Sequence, residues 1–593
     1  MALFKSKNLR TGASVLLSYI LTFGIFKFFK IAFPLSELIF LTTMFAVVIL
    51  TNRALSLLAR KKLVLGSAIF SPFLAVSFVI GRKINLWAKP YFEYFEFIDL
   101  IYFALLTTFL FFVLLILMDF VCRTSLEIYF TEPKVSFKFW LTIFGIFAVA
   151  WVPYLLIYYP GILSPDSFSS INQSVGITPY NNHCPILFTL FVKVFIDFGL
   201  IFGDLNFAIS CFSFAQILVL SAVLSYAVCW LKNKSTPKYI LVLVTIFFAC
   251  NPVIAMYSIT MWKDVMFAGW MLLLILHLYD IMASDGQLLC SARGLIRLIV
   301  YCMLVAFGRN NGFYAVIAVL VALSMYFKQF WKFLIPASLS TILLISVIQG
   351  PVYKFAGVSP GHFAESVGIP LQQIGYTVSE NGSISDKQQE FLNDLLPKET
   401  ISGVFRPNSP DYIKFHMNFN NELLNENKVE FVKIWLSLLP SNFVKYVKAW
   451  LMQTLGYYHI GTTNWVAYDD VMEDYEGVYN TNLIPNIVSP SLQRAIPKYT
   501  NAIARNCPLI QNLYSIAFMV WTTFFCAVVL ALKKRAKYII VLLPLIAIWG
   551  TMMIAAPTFC EFRYMFSFHL ALPFVVLLMF SAEEKRGQMS ATR

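Results

Sequence analysis

The chain has 593 residues, of which 59% are hydrophobic and only 13% are charged. A soluble domain carries about 25% charged residues, so this composition excludes an ordinary globular protein. The net charge of +14 comes from short basic clusters between apolar segments, which is typical of cytoplasmic loops. We therefore expect this protein to lie in a lipid bilayer and to bind no nucleic acid.

A bilayer core about 30 Å thick requires about 20 apolar residues per helix. The sequence thus predicts an all-α polytopic membrane protein with about 14 transmembrane helices. They are expected near 12–32, 34–51, 63–81, 98–120, 137–159, 207–230, 239–258, 262–282, 296–309, 312–328, 332–350, 513–532, 538–556 and 566–581. An even number of helices places both termini on one side of the membrane.

The basic clusters indicate which side this is. With these helices, nearly all clusters fall in one compartment, which the positive-inside rule assigns to the cytoplasm. The clusters are Lys5/Lys7/Arg10, Arg60/Lys61/Lys62, Lys232/Lys234/Lys238, Arg293/Arg297, Lys328/Lys332, Lys533/Lys534/Arg535/Lys537 and Lys585/Arg586. We expect a multi-pass plasma-membrane protein with both termini in the cytoplasm.

If the apolar segment 184–203 crossed the membrane, every later loop would lie on the side opposite to the one that the basic clusters indicate. The segment also carries Lys193 and Asp197 in its middle. We therefore expect a helix that lies in the outer membrane interface.

The chain divides into four regions. Residues 1–136 contain four N-terminal transmembrane helices, and residues 137–350 form a transmembrane core with a first external loop at 160–206. An extracytoplasmic domain follows at 351–512, and 513–593 contains the last transmembrane helices and a short cytoplasmic tail. A polar insert as long as 351–512 indicates a folded, functional unit.

The first external loop contains one carboxylate before Asp197, at Asp166. A carboxylate in a turn shaped by Pro and Gly at the membrane interface is suitably placed to act as a general base. Asp is also a favoured N-cap, so Asp166 could instead cap a helix that begins at Ser167. His183, next to Asn182, could be a structural histidine or a polar contact of the site.

Three cations lie at outer helix ends, at Lys263, Arg309 and Arg563. Each alone could be an interfacial anchor. Together with Asp166 they predict a site for an anionic lipid phosphate, which arginine binds with two parallel hydrogen bonds. The polar residues beside them, expected to contact sugar or acceptor, are Asp264, Asn310, Glu561 and Tyr564.

Several segments of the chain resemble polytopic glycosyltransferases of the GT-C superfamily, especially a group of large bacterial membrane proteins. They are YYPGILSPDSFSSINQ, NNHCPILFTL, MWKDVMF, GRNNGFY and EFRYMF, with PLQQIGYTV and WLMQTLGYYHIG in the insert. The resemblance covers about residues 137–575, so the first four helices are an N-terminal addition.

This resemblance implies an enzyme with a GT-C-like core, interfacial helices and an active site outside the bacterial cytoplasmic membrane. Such enzymes transfer a sugar from a polyprenyl-phosphate carrier to an acceptor, here a cell-surface glycan or glycopolymer. Carried over, Asp166 is the catalytic acidic residue of the first external loop. The paired acidic motif of some members is absent, so no metal ligand or cofactor is assigned, and dependence on a divalent metal stays open.

Two other functions remain as alternatives. A transporter or flippase of lipid-linked sugars would place its charges near the bilayer midplane and often shows repeat symmetry. A polysaccharide polymerase or ligase would use a lipid pyrophosphate donor in a similar setting.

Overall fold

The computed structural model describes residues 7–31, 36–86, 91–126, 136–468, 490–555 and 557–581. In this part of the chain the protein is all-α apart from one short antiparallel hairpin, which pairs Ile84–Asn85 (β1) with Tyr91–Phe92 (β2). The predicted all-α membrane architecture is confirmed.

The N-terminal region consists of four long helices, α1 (Lys7–Phe28), α2 (Ser36–Leu57), α3 (Lys61–Lys83) and α4 (Phe97–Arg123). Ion pairs join α3 and α4 at both ends, with Lys83 Nζ 2.8 Å from Asp99 Oδ2 at one end. At the other end, Arg60 Nη1 lies 2.6 Å from Asp119 Oδ1. The hairpin follows α3, at the end marked by Lys83.

The core contains ten helices. They are α5 (Phe137–Ile157), α6 (Pro165–Ser174), α7 (Ile186–Phe202), α8 (Leu205–Asn233), α9 (Lys238–Cys250), α10 (Pro252–Ser258), α11 (Lys263–Ala283), α12 (Ala292–Gly308), α13 (Gly312–Tyr326) and α14 (Trp331–Val347). The C-terminal region adds α24 (Ile516–Leu532), α25 (Ile539–Ala555) and α26 (Phe566–Phe580). In an 18-residue apolar stretch of each, 89% of the residues of α11 and 72% of those in Phe562–Phe580, which contains α26, are buried. Since most residues of these two helices are covered by other parts of the protein, they form the centre of the bundle.

Ten of the described helices are long and apolar enough to cross a membrane, or eleven if α9 and α10 form one span bent by 57°. The bend follows from Asn251-Pro252, where the Asn251 side chain accepts a hydrogen bond from Val253 N at 3.0 Å and starts a new helix. Helices α13 and α24 are shorter and apolar. A helix occupies each of the expected spans, while the count of 14 stays a prediction.

Helix α7 occupies the apolar segment expected at the interface. Three of its rings, Phe188, Phe191 and Phe195, pack on the single residue Phe212 in α8, with centroids 5.5–6.5 Å apart. Further along, Gly199 of α7 packs against Ala208 of α8. The contacts thus extend over a longer stretch of α7 than of α8, as they do between helices that cross at an angle. The placement of α7 in the outer interface stays a prediction.

The insert contains α15 (Tyr353–Phe355), α16 (Gly368–Ser379), α17 (Asp386–Leu395), α18 (Lys398–Val404), α19 (Asp411–Lys414), α20 (Asn421–Glu426), α21 (Lys428–Gln453), α22 (Pro490–Asn506) and α23 (Pro508–Tyr514). Buried side chains between 364 and 446, including Leu371, Leu392 and Phe431, form a hydrophobic core separate from that of the bundle. The insert is therefore a folded helical unit. Its residues 469–489 lie outside the described part of the chain.

Short 3₁₀ segments connect several helices, at Gln287–Cys290, Lys328–Phe330, Phe363–Ser366, Leu455–Tyr457, Ala536–Tyr538 and Phe562–Met565, with a π-helical turn at Ile348–Val352.

The two central helices define the ends of the bundle. Helix α11 begins at Lys263 and ends near Asp280, whose Oδ1 lies 2.7 Å from Lys234 Nζ. Helix α26 follows Arg563 and ends at Ser581, whose carbonyl accepts a hydrogen bond from Arg535 at 2.7 Å. The cations near the site and the basic residues near 234 and 535 are therefore at opposite ends. Lys5, Lys585 and Arg586 lie outside the described residues.

The fold predicts that Ala59, in the turn before α3, and Tyr94, after the hairpin, lie on opposite sides of the membrane. Both are exposed. In a cysteine-free background, a membrane-impermeant maleimide should label only one of Ala59→Cys and Tyr94→Cys in intact cells, and the other after permeabilisation. Labelling of both in intact cells would contradict the arrangement of α3 as a span.

Candidate functional site

The first external loop is fixed to the turn that precedes α11. Ile162 N donates to Ile259 O at 3.0 Å, and Met261 N donates to Ile162 O at 3.1 Å, so the two segments pair in parallel. The buried Gln216 Nε2 lies within hydrogen-bond distance of three carbonyls, at the end of α10 and in the same turn, the nearest being Thr260 O at 2.7 Å. These bonds satisfy backbone groups that have no water available and fix the loop on the bundle.

Helix α6 begins one residue before Asp166 and presents this carboxylate from its first turn. The N-cap is Ser164, which forms a capping box with Ser167, and Trp262 Nε1 donates to Ser164 Oγ at 2.7 Å. The interpretation of Asp166 as an N-cap is therefore wrong, because Ser164 fills that position and the helix starts at Pro165 instead of Ser167. The Asp166 side chain is left available for other contacts.

Asp166 is bound by two cations from distant parts of the chain. Its Oδ2 accepts a hydrogen bond from Arg563 Nη1 at 3.1 Å and lies 3.5 Å from Lys263 Nζ. The side chain is 25% exposed, and Oδ1 has no protein partner among the residues that the structure describes. Lys263 Nζ also lies 3.8 Å from Cys184 Sγ. The structure thus brings together three of the predicted site residues.

The charges around Asp166 determine its protonation. Burial alone would raise its pKa, but Lys263 and Arg563, with a smaller effect of His183, hold the pKa of this carboxyl well below its usual range. Asp166 is therefore ionised at neutral pH. It is a weak base for as long as both cations remain on it.

The third predicted cation, Arg309, belongs to a deeper layer. Its Nη1 lies 2.8 Å from Asp264 Oδ1, and the Asp264 side chain is only 1% exposed. The guanidinium also covers the Tyr564 ring at 4.6 Å and donates to Tyr564 O at 3.3 Å. Asp264 therefore balances the charge of Arg309. The expected contact of Asp264 with a sugar or acceptor stays a prediction.

Glu561 and Trp262 orient the Arg563 guanidinium. Arg563 Nε lies 3.5 Å from Glu561 Oε1, and the guanidinium stacks 5.0 Å above the Trp262 ring. Glu561 is 7% exposed. Burial, opposed by Arg563 and reinforced by Asp264 and Asp166, raises the pKa of Glu561 to about 7. Arg563 is thus held in place by the face of the Trp262 ring and by the Glu561 carboxyl, which titrates near neutral pH.

The remaining predicted residues lie where the core meets the insert. Asn310 is exposed, and its Nδ2 donates to Asn182 O at 3.0 Å. Asn182 N donates to Ser359 O, in the insert, at 2.9 Å. His183 lies next to this bridge, and burial together with the charge of Lys263 lowers its pKa, so that the imidazole is neutral at pH 7.

The sequence analysis missed the contribution of the insert to this site. Gly361 packs so closely that a Cβ there would lie 3.4 Å from His183 Cα. Further on, Glu365 Oε2 pairs with the buried Lys414 Nζ at 2.6 Å, and both charges affect the pKa of His183. The Gly- and Pro-containing turn Gly357-Val358-Ser359-Pro360-Gly361 was the available signal, since binding residues often lie on loops that a rigid scaffold positions.

No group of three or more His, Cys, Asp and Glu side chains that could hold a metal ion occurs within the described ranges. The ten cysteines are all free thiols. The cations that contact Asp166 in the described part of the chain are Lys263 and Arg563.

Comparison with known families adds one finding. The model of a family of unknown function, DUF6020, matches residues 175–593, which is 419 of the 593 residues. The chain belongs to this family. The matched range contains Lys263, Arg309 and Arg563 and begins after Asp166. Neither a curated protein nor a solved structure matches the chain.

The pKa of Glu561 predicts a pH dependence of stability. A carboxyl whose pKa rises from 4.5 to about 7 on folding stabilises the fold fully below pH 4.5, and this contribution is lost as the pH rises to about 7. Asp166, whose pKa is lowered, contributes its full stabilisation of the fold at any pH well above its ordinary pKa of 3.8. Glu561→Gln should therefore flatten the fall in thermal midpoint of the purified protein between pH 5 and 7.5. Glu430→Gln, at a residue that is 42% exposed, is the control and should leave the pH dependence of the thermal midpoint unchanged. An equal fall of the midpoint with pH in wild type and Glu561→Gln would refute the prediction.

Proposed function

We propose that this protein is a GT-C-type glycosyltransferase of the bacterial plasma membrane. It moves a sugar from a polyprenyl-phosphate donor to an extracytoplasmic acceptor, a cell-surface glycan or glycopolymer. The observation that supports this most is the partly exposed Asp166 carboxylate, 3.1 Å from Arg563 and 3.5 Å from Lys263, at the ends of the two central helices.

The proposed topology has 14 spans, both termini in the cytoplasm and Asp166 outside. The positive-inside rule supports it, because basic residues collect at the end of the bundle opposite Asp166. There Lys533 Nζ donates to Met579 O at 2.7 Å, and Lys537 Nζ lies 2.7 Å from Asp285 Oδ1. Helix α7 lies in the outer interface in this arrangement.

The reaction needs charge compensation for the departing lipid phosphate. Lys263 and Arg563 supply it, in a site where limited water makes electrostatic stabilisation effective. Arg563 is prealigned by stacking on Trp262, so little conformational freedom is lost when it binds a phosphate. The phosphate lies at the outer headgroup level and its polyprenyl chain extends between helices.

The acceptor hydroxyl needs a base, and this role belongs to Asp166. When the donor phosphate engages Lys263 and Arg563, these cations stabilise the Asp166 carboxylate less, and its pKa rises toward the ordinary value. Asp166 then takes the proton of the acceptor hydroxyl, whose oxygen forms the new glycosidic bond. The bond between the sugar and the phosphate oxygen breaks, and its electron pair leaves with the polyprenyl phosphate. General-base assistance of this kind contributes about 10²–10⁴-fold.

The other residues have supporting roles in this proposal. Arg309 and Asp264 hold Tyr564 beneath the phosphate site, and Glu561 orients Arg563. The exposed Asn310 and the neutral His183 are placed to contact sugar or acceptor, next to the backbone of Asn182.

A transporter of lipid-linked sugars fits these observations less well. Its charged site would lie near the bilayer midplane, whereas Lys263 and Arg563 lie at the beginnings of α11 and α26. A polymerase or ligase would share this location and differ in using a pyrophosphate donor.

Asp166→Asn should slow glycosyl transfer by about 10²-fold or more, because an amide cannot accept the proton. Ser164 caps α6, so the helix and its membrane insertion should be unaffected. Transfer from a radiolabelled polyprenyl-phosphate sugar measures the loss, and expression and thermal midpoint serve as controls. Near-normal turnover would remove Asp166 from the mechanism.

The donor class is tested by offering the purified protein a polyprenyl-phosphate sugar or the matching nucleotide sugar with the acceptor. We expect transfer from the lipid donor alone. Arg563→Ala and Lys263→Ala should each weaken donor use about 10- to 150-fold, the effect of losing one charge-assisted contact. Arg297→Ala, an exposed arginine near the other end of α12, is the matched control. Efficient transfer from the nucleotide sugar alone would refute the GT-C assignment.

A further inference from the structure

A cleft separate from Asp166 lies between the hairpin and the insert. It has a volume of about 780 Å³, within the range of ligand-binding sites in proteins. Six of its lining residues are aromatic, three from the hairpin region and three from the insert, namely Tyr91, Phe92, Tyr94, Tyr376, Phe405 and Tyr412. The cleft thus offers several ring faces to one ligand.

The charged residues of the cleft are of both signs. Glu380, Arg406 and Lys448 line it, which gives a net charge of +1. Lys448 Nζ lies 4.5 Å from the centroid of the Tyr94 ring, and Arg406 Nη1 donates to Phe405 O at 2.8 Å. These neutral partners leave both charges in place, but Glu380 adds a negative charge to the same cleft and the rest of the lining is uncharged, so the cleft suits an uncharged polar ligand better than a phosphate group.

The cleft is connected by backbone to the cluster at Asp166. Asn408, in the cleft wall, accepts a hydrogen bond from Phe559 N at 2.9 Å through its carbonyl. Ser409 Oγ donates to Pro557 O at 3.1 Å. The same segment continues directly into Glu561 and Arg563. The Asn408 Oδ1 atom is buried and has no hydrogen-bond partner among the described residues.

We propose that this cleft binds a neutral saccharide chain, which, on the basis of the function proposed above, is the acceptor glycan. Aromatic faces carry partial negative charge, and the C–H bonds on the apolar face of a sugar ring present positive hydrogens to them. Glu380, Arg406 and Asn408 supply planar polar groups for the sugar hydroxyls. The acceptor is then a polymer that the cleft holds at units other than the one that carries the reacting hydroxyl.

The test uses the full chain, purified in lipid nanodiscs, and the neutral hexasaccharides of maltose, cellulose and chitin types. Saturation-transfer NMR should detect binding of at least one of them to the wild type. Tyr94→Ala with Tyr412→Ala should weaken this binding about tenfold or more, because two stacking faces are lost. Tyr94 and Tyr412 are 82% and 54% exposed, so the fold should tolerate their truncation, which an unchanged thermal midpoint verifies. Tyr499→Ala, at a 62% exposed tyrosine outside the cleft, is the matched control and should bind as the wild type does.

The outcomes separate this proposal from the proposed function. Asp166→Asn should bind the saccharide as the wild type does while losing transfer. Failure of all three saccharides to bind the wild type, or equal binding by the double variant, would overturn the cleft assignment and leave the transferase proposal untouched. Displacement of the saccharide by phosphatidylglycerol in the nanodisc would overturn it in favour of a lipid headgroup. If the saccharide binds but no sugar is transferred from any lipid-linked donor, the proposed transferase function would be overturned instead.

Discussion

The contact between Asp166 and Arg563 joins two positions that are 397 residues apart in the chain. Neither charge could be placed at a helix end beside apolar spans without a partner, because an unpaired charge with little water costs several kcal/mol. The pairing therefore requires α6 to lie against the beginnings of α11 and α26. The capping of α6 by Ser164, the bridge at Ile162 and the burial of Gln216 all serve to keep it there.

A consequence of this constraint is a division of the polar cluster into two layers. The deeper layer, Arg309 with Asp264, is neutral and closed to ligands because its carboxylate is 1% exposed. The outer layer, Asp166 with Lys263 and Arg563, is partly exposed and carries one excess positive charge. An incoming anion can only be received by the outer layer, and the deeper pair fixes the aromatic residues on which that layer rests.

The sequence was sufficient to predict the helices and the gathering of Asp166, Lys263, Arg309 and Arg563 at one end of the bundle. Hydropathy determines which segments are helical spans, and the number of crossings then determines which helix ends share a side. The pairing within the cluster was not predictable, because it depends on how each helix is rotated. Thus Arg309 lies on Asp264 instead of Asp166, and Ser164 rather than Asp166 is the cap. The contribution of Ser359 was missed because Ser359 is far from Asn182 in the sequence. Only the folded insert brings the two residues together.

The backbone bonds between insert and core also limit how this protein can move. Ser359 is bonded to Asn182 on one side of the insert, and Asn408 is bonded to Phe559 on another. A body attached at two points cannot swing open as a hinged cover unless one attachment breaks. As long as both bonds hold, the insert and the core therefore move together as one body.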